Sequence, residues 1–284
     1  MAAGQDRQAV YRDEILEIEP RGIEHVPARD KHGTPARVFT LWWSANLCMA
    51  TFVVGTLATG AAIFGLGLGE SLVAIVLGNL LGMACLGAMS AMGPRASVPQ
   101  MVLTRASFGY LGTFVPAFFN WAACVGWFAV NTVLGVLALQ QLLHVPYAVA
   151  VVALVAAQLV LAVYGYNLIH SYEKWMAYVL GVLFLVATVL TLGKLGAPHG
   201  HTIATGGFHP IGFVLEAAAV LGYAIGWAPY GADYSRYLPG ETAARRVFSL
   251  TFLGGFVSAV WLEALGALIA ALALTCTGYL AHPR

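Results

Sequence analysis

Long uninterrupted runs of apolar residues alternate with short polar segments along most of the chain. Seven of these runs are long enough to cross a hydrocarbon layer of about 30 Å, which takes roughly 17 to 25 helical residues. Lipid requires each backbone hydrogen bond to close within its own segment, and the runs are continuous instead of alternating, so we predict helices and not strands. The predicted spans are residues 38–60, 71–92, 114–139, 147–163, 175–192, 211–231 and 248–275.

The overall composition is also typical of a chain that is embedded in a lipid bilayer. Of the 284 residues, 60% are hydrophobic and 10% are charged, and the mean hydropathy is +0.78. This leaves too little polar surface for a water-soluble domain. A net charge of +1 without a basic stripe offers nothing to a nucleic-acid backbone. We therefore predict an all-α integral membrane protein whose partners include the lipid bilayer and exclude nucleic acid.

The charged residues divide the chain into two parts. Thirteen of the 27 acids and bases fall within residues 1–37, which lack the apolar core of a signal peptide and are predicted to form a cytosolic tail. Residues 38–284 then form the transmembrane domain. Placing the tail inside puts 12 of the 14 lysines and arginines on the cytosolic side. The N-terminus is therefore predicted to lie in the cytosol, and the protein to be a multi-pass component of the cytoplasmic (inner) membrane.

The first and sixth predicted spans carry signs of an interrupted helix. In the sixth span, Pro229 lacks a backbone donor and its ring clashes with the carbonyl of Ile225, close to Gly226. The first span has no proline but contains a polar cluster that includes Asn46 and Thr51. Broken helices in a membrane often line a substrate site. The alternatives are a simple proline kink in one span and polar side chains that only join neighbouring helices in the other.

A candidate binding pair lies in the third predicted span. Trp127 and Asn131 are four residues apart and so share a helix face. Stacking of a flat heterocycle on an indole contributes about 1 to 3 kcal/mol, and an amide offers a donor and an acceptor together. Trp227, just before the proline of the sixth span, could supply a second aromatic plate. Taken singly, each tryptophan also fits an anchor at the membrane interface.

Two acidic residues lie within predicted spans. Glu263 is near the middle of the seventh span, where a charge is costly and usually functional, so it is a candidate for ion coupling. A carboxyl group that only locks the helix bundle is the alternative. Glu216 lies about one turn into the sixth span from the outer face, where its side chain could extend to water, so it is the weaker candidate. His199, His201 and His209 are interpreted as loop residues, because no cysteine or carboxylate at ligand spacing accompanies them; no metal site is predicted.

An intramembrane hydrolase is the rival class of function. It would need a serine nucleophile with a histidine at membrane depth, but no histidine lies inside a predicted span and no GxSxG motif occurs. The four cysteines form no CxxC pair and are interpreted as free thiols. The sequence therefore predicts neither catalytic residues nor a resident cofactor.

Five stretches together resemble one known family, the nucleobase:cation symporters of the purine-cytosine permease group. The stretches, in order along the chain, are GIEHVP, TPARVFTLWWSANLCMATFVVGTLA, GPRASVPQMVLTRASFGYLG, NWAACVGWFAVNT and GWAPYGADYSRYLP. The resemblance implies a LeuT-like transporter built from two inverted repeats of five helices, of which this chain would contain the first repeat and the first two helices of the second. It also implies uptake of a purine or pyrimidine base such as cytosine, driven by a co-transported proton or sodium ion.

The resemblance assigns roles to individual residues as well. Trp127, Asn131 and Trp227 match the family's base-stacking and hydrogen-bonding residues, and Asn46 lies where the unwound part of the first helix is expected. Family members have about twelve spans, so we expect the chain to be a fragment or a truncated copy. The alternatives to a working permease are then a transport-inactive remnant or a partner-binding membrane protein. A second copy or a missing C-terminal half would be the partner.

Overall fold

The computed structural model describes residues 22–59, 63–164, 166–195 and 208–281, without the side chains of 163–174 and 273–281. Within these ranges the chain is helical, and an isolated bridge between Thr59 and Leu66 is its one β-type pairing. Short 3-10 helices cover Ala28–Asp30 and Ala228–Tyr230. The α-helices are α1 (Ala36–Asn46), α2 (Met49–Thr56), α3 (Leu68–Ala96), α4 (Gln100–Leu103), α5 (Arg105–Gly112), α6 (Phe114–Leu143), α7 (Tyr147–Tyr164), α8 (Tyr166–Leu195), α9 (Pro210–Ile225), α10 (Gly231–Ser235) and α11 (Ala244–Ala281).

All seven predicted spans lie on helices. Five stretches of the described chain are long and apolar enough to cross a membrane, and the bent pair α1 and α2 makes a sixth. The predicted fourth span lies on α7, which has 18 residues and so extends about 27 Å at 1.5 Å per residue. That length is within the roughly 17 to 25 residues that a crossing takes.

The first span is broken between α1 and α2, whose axes differ by 59°. The chain leaves the helix at Leu47 and is extended at Cys48, with φ −139° and ψ 163°. No proline causes this break. The side-chain amide of Asn46 donates to the carbonyl of Trp42 at 2.7 Å, so the last turn of α1 is satisfied from within the protein. A backbone freed from helical pairing is tolerated at membrane depth when protein groups take up its polar atoms.

The regular helix of the sixth span ends at Ile225, as the position of Pro229 predicts. The chain continues through the 3-10 turn that contains this proline and then forms α10. Ser235 holds α10 against α3, since its hydroxyl donates to the carbonyl of Ser90 at 2.7 Å. Both predicted interruptions are thus confirmed as breaks in helix geometry.

Helix α3 lies at the centre of the bundle and packs against α9, α10 and α11. Small residues make this packing close: a methyl group added to Gly78 would lie 2.7 Å from Val220, and one added to Gly87 would lie 3.0 Å from Phe248. Helices α6, α7 and α8 surround this centre and keep most of their apolar side chains exposed. Such exposed apolar faces are normal for helices that contact lipid.

Candidate functional site

A cavity of about 470 Å³ lies where the two helix breaks face α6. Its size is within the range of about 300 to 1,000 Å³ that is usual for small-molecule sites. The break of the first span, the break of the sixth span and the middle of α6 each supply three or four of the lining residues. These residues are Ala45, Cys48, Ala50, Cys124, Trp127, Asn131, Tyr223, Gly226, Trp227 and Tyr230.

Four of the ten residues that line the cavity are aromatic. Tyr223 lies between the two predicted tryptophans: its ring centroid is 5.6 Å from that of Trp127 at an interplanar angle of 79°, and 6.5 Å from that of Trp227 at 90°. Trp227 also contacts Tyr230 at 6.4 Å. Edge-to-face contacts of this kind are favourable and fix ring orientation. The cavity therefore presents rigid aromatic surfaces to whatever enters it.

Asn131 supplies the side-chain amide of the cavity wall. Its side chain is exposed within the described chain, and one amide hydrogen donates to the carbonyl of Trp127 at 2.8 Å. A primary amide has two N–H donors and a carbonyl oxygen, so this bond occupies only part of its capacity. On the same helix, the Cys124 thiol lies 2.9 Å from the Tyr230 hydroxyl. The predicted residues Trp127, Asn131 and Trp227 are thus brought together around one cavity.

Asn46, the fourth predicted site residue, is not part of the cavity wall. It is fully buried behind Tyr223, whose hydroxyl donates to Asn46 Oδ1 at 3.0 Å. The same hydroxyl lies 2.5 Å from Thr51 Oγ1. Asn46 therefore contacts the wall residue Tyr223 on α9 and not the cavity itself.

Tyr223 is the most connected of the lining residues that reasoning from the sequence missed. Its spacing contained a signal, since Tyr223 precedes Trp227 by four residues and thus shares its helix face. The tyrosine joins both breaks: its ring belongs to the sixth span and its hydroxyl binds both halves of the first.

The two acidic residues lie away from the aromatic wall and are both fully buried. Glu263 on α11 accepts a hydrogen bond from the side-chain amide of Asn79 on α3. Glu216 on α9, whose side chain could have extended to water, is instead buried within the protein.

The remaining candidates are accounted for by the local structure. His209 caps α9, because its Nδ1 accepts from the backbone N–H of Gly212 at 3.0 Å. His199 and His201 lie outside the described residues. Cys48, Cys85 and Cys124 are free thiols.

Comparison with known proteins places the chain in a family. Residues 25–280 match the family of permeases for cytosine/purines, uracil, thiamine and allantoin. The chain belongs to this permease family.

Two relatives are named as purine-cytosine permeases. The Bacillus subtilis protein YxlA, provisionally so named, is 35% identical to this chain over 254 residues, which are 89% of this chain and 54% of YxlA. The purine-cytosine permease fcyB of Emericella nidulans is 33% identical over 258 residues, covering 88% of this chain and 49% of fcyB. The chain thus spans about half the length of these relatives.

A solved structure has the same fold. Mhp1, described as a nucleobase-cation-symport-1 family transporter in a closed conformation with bromovinylhydantoin bound, superposes with a TM-score of 0.73 at 18% identity. The match covers 94% of this chain and 62% of Mhp1. The predicted fold class, an all-α membrane protein with the N-terminal part of a LeuT-like transporter, is therefore confirmed.

Proposed function

We propose that this permease binds a purine or pyrimidine base, such as cytosine, in the cavity between the two helix breaks. In this proposal the base crosses the cytoplasmic membrane together with a proton or sodium ion. The observation that carries the proposal is a cavity at the meeting point of two broken helices, walled by Trp127, Tyr223 and Trp227 and bordered by the amide of Asn131. Relatives named purine-cytosine permeases support the substrate class.

The chemistry of the wall suits a flat, polar ring. Each base has a π-face, and stacking on an aromatic side chain contributes about 1 to 3 kcal/mol. Asn131 can add a donor and an acceptor to the edge of such a ring, as asparagine does with adenine. We propose that Trp127 and Trp227 stack on the base and that Asn131 forms hydrogen bonds with its edge. Asn46 would hold Tyr223 in position through their hydrogen bond.

Transport, not catalysis, is the proposed activity, and the relatives' names as permeases support this. We propose that residues 38–284 form the transmembrane domain, that residues 1–37 form a cytosolic tail, and that the co-transported ion is the only inorganic partner required. The basic residues that cluster on one side of the spans support this orientation. Glu263 is the proposed residue for ion coupling, since it is buried at the centre of the bundle.

Equilibrium binding to the whole chain in lipid nanodiscs tests the proposal. Tritiated cytosine, adenine, hypoxanthine and uracil are titrated against the protein and against Trp127→Ala and Asn131→Ala. Loss of stacking or of the amide should weaken binding by about 1 to 3 kcal/mol in each variant, or roughly 5- to 150-fold. The matched control is Trp121→Ala on the same helix, because Trp121 is 61% exposed and is not part of the cavity wall.

Equal loss of binding in the control and in Trp127→Ala would refute the assignment of the cavity. Uptake into cells that lack their own base permeases then separates a working permease from the alternative of a transport-inactive or partner-binding protein. A transporter accumulates labelled base, whereas an inactive protein binds base without accumulation. Co-expression of a C-terminal half from a longer relative shows whether a partner is needed.

A further inference from the structure

One end of the cavity carries a polar group that the proposed function does not use. Tyr230 lies on the 3-10 turn that contains Pro229, and it lines the cavity next to Trp227, with the two ring centroids 6.4 Å apart. Its hydroxyl lies 2.9 Å from the thiol of Cys124 on α6, which also lines the cavity. The break of the sixth span thus brings a phenol group to α6.

This phenol group and the amide of Asn131 lie at different levels of the cavity. Cys124, the partner of Tyr230, and Asn131 are seven residues apart on α6, which corresponds to about 10.5 Å along the helix axis. Trp127 lies between them on the same helix face. The cavity therefore has a polar group towards each end and an aromatic surface between them.

Asn120 indicates whether the Tyr230 hydroxyl acts as a donor or as an acceptor. Asn120 lies one turn before Cys124 on the same face of α6, and its side-chain amide interacts with this hydroxyl. Within the described part of the chain, Oδ1 of Asn120 is buried without a hydrogen bond. The amide therefore interacts through its N–H group, so the oxygen of Tyr230 is the acceptor and its proton is directed to the sulfur of Cys124.

A thiol is a poor partner for the phenolic proton, because sulfur is a weak hydrogen-bond acceptor. A ring nitrogen with a free lone pair is a better acceptor. Exchange of the Cys124 sulfur for such a nitrogen would therefore cost the Tyr230 hydroxyl little. This end of the cavity is thus equipped to bind an acceptor on a ligand.

Purines and pyrimidines differ on the edge that would face this donor. Proteins that enclose a single base often bind its Watson–Crick edge, and Asn131 offers the donor and the acceptor for such a contact. The opposite edge of a purine is the imidazole ring, whose N7 is an acceptor in adenine and guanine. The opposite edge of cytosine or uracil carries two C–H groups and the N1–H donor. In this orientation a purine can accept a hydrogen bond from Tyr230, and a pyrimidine cannot.

We propose that the Tyr230 hydroxyl donates a hydrogen bond to the imidazole nitrogen of a purine and thereby makes the cavity select purines over pyrimidines. This inference rests on the proposed function and deepens it, because it names the preferred class of base. Asn120 is a positioning residue, since it orients the hydroxyl and is not part of the cavity wall. Cytosine stacks on the tryptophans and binds Asn131, but it makes no hydrogen bond with Tyr230.

Binding of adenine and 7-deazaadenine to the whole chain in nanodiscs tests this contact. The analogue keeps the Watson–Crick edge and the flat ring system, and a C–H group replaces N7. The unmodified chain should bind adenine about 2- to 10-fold more tightly than the analogue, which is the range expected for one net hydrogen bond. In Tyr230→Phe this ratio should fall to one, because the binding of adenine weakens and that of the analogue does not.

The matched control is Tyr178→Phe on α8, because Tyr178 is 62% exposed and is not part of the cavity wall. This variant should keep the ratio of the unmodified chain. Cytosine should bind more weakly than adenine to the unmodified chain, and its affinity should be the same in Tyr230→Phe.

Two substitutions of Cys124 separate a hydrogen bond from an effect on the shape of the cavity. A serine hydroxyl accepts hydrogen bonds better than a thiol, so Cys124→Ser should retain the phenolic proton and lower the adenine ratio. Cys124→Ala removes the competing acceptor and should leave the ratio at least as high as in the unmodified chain. A ratio that falls equally in both variants overturns the donor role of Tyr230.

The remaining outcomes distinguish this inference from the proposed function. Equal binding of adenine and 7-deazaadenine to the unmodified chain, or a ratio that persists in Tyr230→Phe, overturns the inference and leaves the proposed function intact. Tighter binding of cytosine than of adenine does the same. Absence of binding of every base, by a chain that still shows a cooperative thermal transition, overturns the proposed function and the inference together.

Discussion

The hydroxyl of Tyr223 is predicted to hold the two helix breaks together, and Tyr223→Phe removes that hydroxyl alone. The ring stays, so its edge contacts with Trp127 and Trp227 are preserved. What is lost is the donor to Asn46 Oδ1 at 3.0 Å and the contact with Thr51 Oγ1 at 2.5 Å. Any change in stability can therefore be assigned to these hydrogen bonds.

The expected loss of stability follows from the oxygen atom that the substitution leaves without a hydrogen bond. Asn46 is fully buried, so its carbonyl oxygen would lose its donor without gaining water, which costs about 1 to 3 kcal/mol. Thr51 keeps a weak contact with the Cys48 thiol at 3.3 Å, so its share is smaller. For a domain of this size, each kcal/mol lowers Tm by roughly 2 to 4 °C.

Thermal unfolding in detergent, followed by tryptophan fluorescence, measures the effect. Tyr230→Phe is the matched control, because it removes a hydroxyl from the same cavity whose partner is the exposed thiol of Cys124. A double-mutant cycle of Tyr223→Phe with Thr51→Val should show a coupling free energy of about 0.5 to 3 kcal/mol. Equal Tm values for the two phenylalanine variants would refute the reasoning that Tyr223 joins the breaks.

Two further predictions concern packing and orientation. Gly231→Ala should destabilise the protein by about 1 to 3 kcal/mol in thermal unfolding, because the new methyl group would lie 2.8 Å from the backbone nitrogen of Ser90. Gly222→Ala is its control and should be neutral or stabilising, since no atom lies within 4 Å of the added group. In a cysteine-free background, Thr242→Cys should be shielded from an impermeant thiol reagent in intact cells and Gly200→Cys should react; the reverse pattern would overturn the predicted orientation.

Local features of the sequence account for much of the fold. Continuous apolar runs predict the long helices, because helix formation in lipid depends on residues that are close in the chain. Pro229 predicts the second break for the same reason, since its effect on Ile225 is local. The first break is different: the polar cluster marks its place, but its geometry depends on Tyr223, which is 177 residues from Asn46.

The candidate site shows the same division between local and tertiary information. Trp127 and Asn131 could be paired from sequence because one helix face carries both. The burial of Asn46 and Glu216 could not be predicted from the sequence, because it depends on how closely another helix approaches each side chain. For Glu216 the helices are α9 and α3: a methyl group at Gly78 would lie 2.8 Å from the carbonyl oxygen of Ala217, so α9 rests almost on the α3 backbone beside the buried Glu216.

Close backbone contacts also determine which helices can separate when the cavity opens. Helix α11 approaches the first span at two glycines: a methyl group at Gly254 would lie 2.5 Å from the carbonyl oxygen of Phe39, and one at Gly266 would meet the backbone of Phe52. Helices α3, α9 and α10 are joined to this group in the same way.

Helix α8, by contrast, meets the first span through side chains, with the rings of Phe52 and Phe184 6.2 Å apart. Helix α6 meets the sixth span mainly through the rings around the cavity, with Trp127 against Tyr223. Side chains can change rotamer without loss of a backbone contact, whereas interlocked glycine contacts allow no such adjustment. Opening of the cavity is therefore expected along the seam between α6–α8 and the central helices, with Tyr223 and the buried carboxylates moving as part of the central group.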